Sequence, residues 1–97
     1  MLAVLRICQV GDCEIEIIGT FPYPIRTKLQ LEVAKFIVMV IVLSVANQAE
    51  QCGGLAIQKE ELKSHLEDEK LMIYTSFKFE NQSKLENFKR SIAERNF

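Results

Sequence analysis

The central stretch FIVMVIVLSVA, at positions 36–46, is almost entirely apolar and contains six β-branched residues. It lies within a 25-residue run, 27–51, that has neither glycine nor proline. Such a run is too long for one strand of a small sheet, and Cys52-Gly53-Gly54 supplies the glycines that often end a helix. We therefore predict a long helix with Thr27 as its N-cap. The β-branched core leaves a strand limited to residues 36–45 as the alternative.

The apolar stretch is too short to predict a membrane span. It comprises 11 residues, includes Ser44 and closely follows Glu32 and Lys35, whereas a span needs roughly 18 to 20 apolar residues. The first ten residues are apolar, but they lack the basic lead-in and small-residue cleavage site of a signal peptide. We therefore expect no membrane association.

On a helix, the polar residues of the first turns share one stripe with three apolar residues further along, Met39, Val42 and Ala46. The helix is thus apolar all round in its middle, and such a helix is normally buried all round. One side is expected to pack on a sheet, and the other to be covered by a second helix or a second molecule. We therefore predict an interface at Met39, Val42 and Ala46 and a homo-oligomer, with a dimer favoured.

Two strands, residues 2–10 and 14–20, are predicted to pair as a hairpin closed by Gly11-Asp12-Cys13. In this register Ile7 faces Ile17 and Val10 faces Glu14. A slip of one residue would turn every side chain to the other face. The need to bury the isoleucines therefore favours the three-residue loop over a two-residue loop.

The segment Phe21-Pro22-Tyr23-Pro24-Ile25-Arg26 follows the hairpin. Its two prolines disfavour both helix and strand, which predicts a stiff connection. Phe21, Tyr23 and Arg26 are candidate contacts of a recognition loop. The alternative is that the aromatic rings only cap the core.

Residues 58–70 are rich in helix formers and predict a peripheral acidic helix, with Leu62 and Leu66 spaced i, i+4. The alternative is an edge strand over residues 55–62 followed by a turn at Glu67-Asp68-Glu69. The acidity of this region fits either a docking surface for a basic partner or a solvated face.

The C-terminal part predicts a strand over residues 71–79 and then a helix. The alternating apolar residues of the strand should face the core: Leu71, Ile73, Phe77 and Phe79. A capping box from Ser83 to Glu86 is expected to begin the helix, whose apolar stripe is Leu85, Phe88 and Ile92. Lys84, Lys89 and Arg95 flank that stripe and are candidates for a nucleic-acid contact.

These elements predict a single α+β domain over residues 1–97. Its three- or four-stranded antiparallel sheet would carry a long buried helix and a C-terminal amphipathic helix, in a ferredoxin-like or permuted ferredoxin-like order. In the C-terminal half, Gly54-Leu55 through Phe77 and then 82–88 form a phrase of two strands and a helix. This phrase resembles the dimeric α/β-barrel group that includes the antibiotic-biosynthesis monooxygenases. The resemblance implies a dimer with a cavity between sheet and helices, and it carries over no catalytic residue.

Composition gives no sign of an enzyme. The three cysteines, an odd number, and the single histidine form no metal-ligand spacing, so we expect reduced thiols, no metal, no cofactor and a cytoplasmic protein. Phosphate-loop and nucleophile motifs are absent from the sequence, and a net charge of −1 argues against a dedicated nucleic-acid binder.

Three classes of function remain. The first is a homo-oligomeric interaction or regulatory protein that acts through the apolar helix face or the proline loop. The second is a small-molecule binder or cofactor-independent enzyme with a cavity lined by Phe36, Met72 and Tyr74. The third is a nucleic-acid contact through the C-terminal helix. The absence of a catalytic constellation and the charge balance favour the first.

Overall fold

A computed structural model describes residues 2–57 and 62–93 of the chain. Its elements, in order, are β1 (Val4–Gly11), β2 (Glu14–Thr20), α1 (Lys28–Gln51), β3 (Leu55–Ala56), β4 (Lys63–Glu67), β5 (Lys70–Lys78) and α2 (Gln82–Ala93). The strands form one antiparallel sheet in the order β1-β2-β5, and both β3 and β4 pair with the far side of β5. The predicted α+β class is confirmed, with five strands instead of three or four.

The long helix is confirmed, and the alternative strand over residues 36–45 is wrong. Thr27 caps α1 through a capping box with Gln30: its hydroxyl oxygen accepts from the Gln30 backbone N–H at 3.1 Å, and the Gln30 side-chain oxygen accepts from the Thr27 N–H at 3.1 Å. The helix ends at Gln51, and Gly53 follows in the left-handed region, at φ 90°. Satisfied ends and the missing breakers outweigh the modest helix propensity of the β-branched core.

One side of α1 packs on the sheet and forms much of the core. Its buried residues are Ala34, Val38, Val42, Val45, Ala46 and Ala49. They meet the inward side chains of β2 and β5, among them Ile15, Ile17 and Ile73, all fully buried. The predicted inward face of β5 is confirmed. The helix lies close to the sheet at Gly19, where an added Cβ would lie 2.6 Å from Cγ2 of Val42.

The hairpin of β1 and β2 has the predicted central register but a shorter loop. Ile7 faces Ile17 as predicted, whereas the predicted pair of Val10 with Glu14 is wrong. A bulge between Gln9 and Gly11 absorbs one residue, so that Gly11 faces Glu14 and only Asp12-Cys13 forms the turn. The bulge preserves the inward direction of the isoleucines while the turn tightens.

The predicted acidic helix is wrong where the structure describes it. β4 and β5 form a hairpin whose two-residue turn is Asp68-Glu69, with φ of 51° and 63°. The alternative therefore had the right turn. Its edge strand over residues 55–62 is confirmed at Leu55–Ala56, but the strand next to the turn begins later, at Lys63, and residues 58–61 lie outside the described residues. Left-handed φ values at two successive acidic residues are costly, but the long β5 strand offers unpaired backbone groups that β4 satisfies. Tertiary pairing thus overrides local helix propensity.

The C-terminal helix packs as predicted but begins one residue earlier than Ser83. Asn81 precedes α2, and its side-chain oxygen accepts from the Lys84 backbone N–H at 2.9 Å, so the predicted Ser83 capping box is wrong. Its apolar stripe of Leu85, Phe88 and Ile92 is buried. The rings of Phe79 and Phe88 stack with centroids 5.5 Å apart. This contact ties α2 to the end of β5 and closes the core.

Gly19 provides a test of the close contact between helix and sheet. We expect Gly19→Ala to lower the free energy of unfolding by about 1–3 kcal/mol, because the added methyl group forces α1 away from β2. Gly11→Ala is the matched control, since a Cβ there meets nothing closer than 3.5 Å, and it should change stability by less than about 0.5 kcal/mol. Urea unfolding of both variants measures the difference. Equal effects would contradict this packing.

Candidate interaction surface

The three residues predicted as an interface do not lie on one surface. Met39 is 39% exposed, but Val42 is fully buried and Ala46 is 8% exposed. Val42 packs with the sheet, and Ala46 belongs to the cluster that includes Phe88 and Ile92 of α2. The sequence anticipated that another helix of the chain could cover this side. In the structure α2 does so beside the C-terminal half of α1, and the predicted position of the exposed face is therefore wrong.

The exposed apolar face of α1 lies one residue further round the helix. Five side chains point away from the sheet and are each about half exposed or more: Leu29 (75%), Val33 (50%), Phe36 (72%), Val40 (49%) and Leu43 (50%). We call this set the outer stripe. Its members are spaced 4, 3, 4 and 3 residues apart, which is the spacing of a coiled-coil seam. The stripe runs over 15 residues, from Leu29 to Leu43, or roughly 21 Å of helix.

Polar and charged residues mark the ends of the outer stripe. The same spacing continues to Asn47 and Glu50, both exposed. At the other end, Arg26 and Lys28 are exposed beside the start of the helix. The first end therefore carries two bases, of which Arg26 also contacts Glu69, and the other end carries one acid.

A groove of about 370 Å³ opens beside the N-terminal end of the outer stripe. Its lining combines the proline loop with the first turns of α1: Phe21, Tyr23, Pro24, Leu29, Gln30 and Val33. The rings of Phe21 and Tyr23 meet edge to face, with centroids 5.8 Å apart. Since Leu29 and Val33 belong to both features, the groove is continuous with the stripe.

The β4–β5 hairpin holds the proline loop in place. The backbone N–H of Phe21 donates to the carbonyl of Leu71 at 3.1 Å, and that of Ile25 donates to the carbonyl of Glu69 at 2.9 Å. Of the three predicted recognition residues, Phe21 packs partly against the core, as the alternative proposed. Tyr23 is 61% exposed and lines the groove. Arg26 lies at 3.6 Å from Glu69, measured from Nε to Oε2.

The sheet face away from α1 carries a separate shallow hollow, also of about 370 Å³. It is lined by Glu16, Ile18, His65, Met72 and Tyr74. The predicted cavity of Phe36, Met72 and Tyr74 is therefore wrong, because Phe36 points outward from α1 on the opposite layer. His65 contacts Glu67, with 2.9 Å between Nε2 and Oε2.

The side chains that could carry redox or metal chemistry are dispersed. Cys8, Cys13 and Cys52 are free thiols at half-buried positions. Within residues 2–57 and 62–93, no group of three His, Cys, Asp or Glu side chains could hold a metal ion. This part of the chain offers surfaces for binding, and it offers no arrangement that indicates a reaction.

Two basic residues of α2, Lys84 and Lys89, lie beside acids, whereas Arg90 donates to the side-chain oxygen of Asn87. Lys84 lies 2.7 Å from Glu80 and Lys89 lies 3.5 Å from Glu86, while Arg95 falls outside the described residues. The hydrogen bond and charge of Lys84 lower the pKa of Glu80 below its ordinary value. These pairs reduce the positive potential that a nucleic-acid backbone would meet.

Comparison of the chain with protein-family models, with curated proteins and with solved structures found no match. The prediction that the apolar stretch is too short for a membrane span is wrong by length and composition, because helix α1 is long and apolar enough to cross one, with a mean hydropathy of 2.1 over its most apolar window. That property alone is weak evidence, because core helices of soluble proteins share it. The geometry of the outer stripe is therefore the main guide to function.

The outer stripe was present in the sequence but was not recognised there. The apolar residues of the outer stripe keep the seam spacing from Leu29 to Leu43, whereas the predicted stripe begins with Lys28, Glu32 and Lys35. Choosing between stripes requires knowing which side the sheet covers, because a buried set, Val38, Val42, Val45 and Ala49, has the same spacing.

Two kinds of substitution in α2 distinguish a structural role of this helix from a nucleic-acid-binding role. Phe88→Ala should lower the free energy of unfolding by about 3 kcal/mol or more, because it empties a fully buried site. Reversing Lys84 and Lys89 to glutamate should cost under about 1 kcal/mol per residue, because both are exposed or partly exposed. Denaturant unfolding and a nucleic-acid binding titration measure both effects. Salt-sensitive binding that the charge reversal abolishes, with the fold intact, would contradict this account.

Proposed function

We propose that the protein is a small homodimeric interaction protein that buries the outer stripe of α1 against a second copy of itself. The observation that carries this proposal is the row of five exposed apolar side chains at seam spacing. An uncovered apolar face of this kind is an aggregation liability. Burying the exposed part of each side chain contributes on the order of 1 kcal/mol, so the row as a whole favours a partner.

A second copy fits the outer stripe better than a lipid surface does. Helices that lie on membranes carry a wide apolar face and an excess of Lys and Arg on the polar side. Here α1 has two lysines, Lys28 and Lys35, and two glutamates, Glu32 and Glu50. Its opposite side packs on the sheet, so no basic flank faces a membrane. A narrow seam that matches itself suits a two-fold symmetric pair.

A second copy would also meet the helix more readily than the open face of the sheet. Charged residues lie on the open face, including Glu16, Arg6, which pairs with Ile18, and Lys63, which pairs with Tyr74. Pairing two such faces would bury several of these charges, which is costly unless each finds a partner. The α/β-barrel resemblance implies a dimer with a cavity between sheet and helices, and we propose a different arrangement here.

The association state tests this proposal. Sedimentation velocity over a concentration series should show wild-type dimers at micromolar concentration. Phe36→Glu should weaken the dimer at least about tenfold, because it places a charge at the centre of the seam. Leu55→Glu is the matched control: Leu55 is 75% exposed, like Leu29, but belongs to β3.

A folded wild type that stays monomeric at every concentration would overturn the proposal. So would a Phe36→Glu variant that dimerises as well as Leu55→Glu. Flotation of the wild type with lipid vesicles, lost in Phe36→Glu, would assign the stripe to a membrane surface instead.

A second candidate function is the binding of a small molecule in the hollow on the open sheet face. The hollow joins apolar walls, Ile18, Met72 and Tyr74, to a carboxylate from Glu16. Apolar walls with a few polar groups are typical of ligand sites, and a ferredoxin-like or permuted ferredoxin-like arrangement would leave this face open for a ligand. A flat ligand that carries a hydrogen-bond donor for Glu16 suits this composition.

A fragment screen followed by NMR tests the second candidate. Hits should shift the resonances of Met72 and Tyr74 and should lose affinity at least about tenfold in Tyr74→Ala, because the ring supplies one wall. Tyr23→Ala is the control, since this tyrosine is exposed on the other side of the molecule. If Tyr74→Ala leaves the affinity of the hits unchanged, or if no fragment binds at this face, the second candidate function is wrong.

A further inference from the structure

We infer that the two copies pair their α1 helices in antiparallel orientation, with Leu43 of the second copy seated beside the aromatic groove at the start of the first. This inference rests on the proposed dimer and specifies its partner surface. The two ends of the outer stripe differ in shape and in charge, and that difference selects between the two orientations that a two-fold axis allows.

The groove supplies the shape argument. It lies at the N-terminal end only, between Tyr23 and the first two residues of the stripe, Leu29 and Val33. In a parallel pair the grooves of the two copies would face each other, and neither groove would receive an apolar side chain. An antiparallel pair brings the C-terminal end of the stripe to it, where Leu43 is half exposed and able to act as a knob.

The seam spacing then fixes the register. By the 4-3 spacing, Val33, Val40 and Asn47 occupy one kind of seam position, and Leu29, Phe36 and Leu43 the other. In an antiparallel pair, positions of one kind face positions of the other. In the register that buries the whole stripe, three different pairs of residues face each other across the two helices: Leu29 with Asn47, Val33 with Leu43, and Phe36 with Val40. Two-fold symmetry repeats each pair.

The charges at the two ends support the same register. Glu50 of the second copy lies opposite Arg26 and near Lys28 of the first, at both ends of the pair. In a parallel pair each of these residues would approach its own copy, which places like charges together. Asn47 is the one residue that also suits a parallel pair, because asparagines at this kind of seam position can bond to each other. It lies beyond the apolar stripe, however, and keeps access to water.

Distances between spin labels distinguish the two orientations. Lys28→Cys is made in a background in which Cys8, Cys13 and Cys52 are serine, and a nitroxide label is attached. In the proposed register Lys28 lies opposite residue 48 of the second copy, so the two labels are about 30 Å apart along the helix axis. A parallel pair would hold them within roughly 10–15 Å, given the usual spacing of packed helices. Pulsed electron paramagnetic resonance reads the longer distance, and dipolar broadening of the continuous-wave spectrum reads the shorter one.

A mixed sample adds an independent check. Labelled Lys28→Cys mixed with labelled Glu50→Cys should give a short distance, about 10–15 Å, in the antiparallel pair. In a parallel pair each labelled sample would already give the short distance by itself, and mixing would add a distance of more than about 30 Å. A short distance in the Lys28 sample alone would overturn the antiparallel assignment and leave the dimer standing. A monomeric wild type at all concentrations would instead overturn the proposed dimer itself.

Charge reversal keeps the inference testable if the cysteine-free background fails to fold. Glu50→Lys should weaken the antiparallel dimer about two- to tenfold, because two attractive contacts become repulsive. Adding Arg26→Glu and Lys28→Glu to the same chain should restore it. In a parallel pair Glu50→Lys exchanges one like-charge contact for another and should change little. No effect of Glu50→Lys on a dimer that Phe36→Glu disrupts would therefore overturn the antiparallel assignment.

Discussion

A helix that is apolar round its whole circumference meets a sheet that can cover only one side of it. Val38 and Val42 of α1 lie over Gly19, where the missing side chain lets helix and sheet come close. This contact decides which residues of α1 enter the core and which point outward. Both the stability of the fold and the character of its surface follow from it.

The rest of the architecture extends that contact. Helix α2 covers the C-terminal half of α1 through Phe88 and Ile92, and it buries Ala46 that the sheet alone would leave open. At the other end, the proline loop is fixed to the β4–β5 hairpin and places Tyr23 beside the first turns of the helix. The outer stripe is the apolar part of α1 that lies between α2 and the proline loop and that neither of them covers. It joins an aromatic, basic end to a polar, acidic one, and such an asymmetric surface can recognise its own copy.

Local patterns predicted the elements whose signals agree with one another. The capped run without breakers predicted α1, the alternation of Leu71, Ile73 and Phe77 predicted β5, and the spacing of Leu85, Phe88 and Ile92 predicted the buried stripe of α2. Prediction failed where tertiary pairing opposes local preference. The acidic turn at Asp68-Glu69 lies in a stretch of helix-forming residues. The residues before the turn nevertheless form a strand, because they pair with the open edge of β5.

The sequence predicted that α1 has an exposed apolar face, but it placed that face at the wrong residues. The sequence shows that α1 is apolar on more sides than a small sheet can cover, so an exposed apolar face was foreseeable. Its position was not, because Met39, Val42 and Ala46 share a stripe with polar residues whose exposure suggested solvent along the whole length. The positions of the sheet and of α2 relative to the helix decide the matter, and these depend on contacts between residues distant in sequence.

The proposed dimer requires that a second copy covers the outer stripe. Hydroxyl-radical footprinting across a dilution series tests this requirement. Phe36 and Leu55 are similarly exposed in one chain, at 72% and 75%, so each serves as a reference for the other. Oxidation of Phe36 should fall as protein concentration rises through the micromolar range, while oxidation of Leu55 should stay constant. If the ratio of Phe36 to Leu55 oxidation is the same at every concentration, no second copy covers the stripe and the account is wrong.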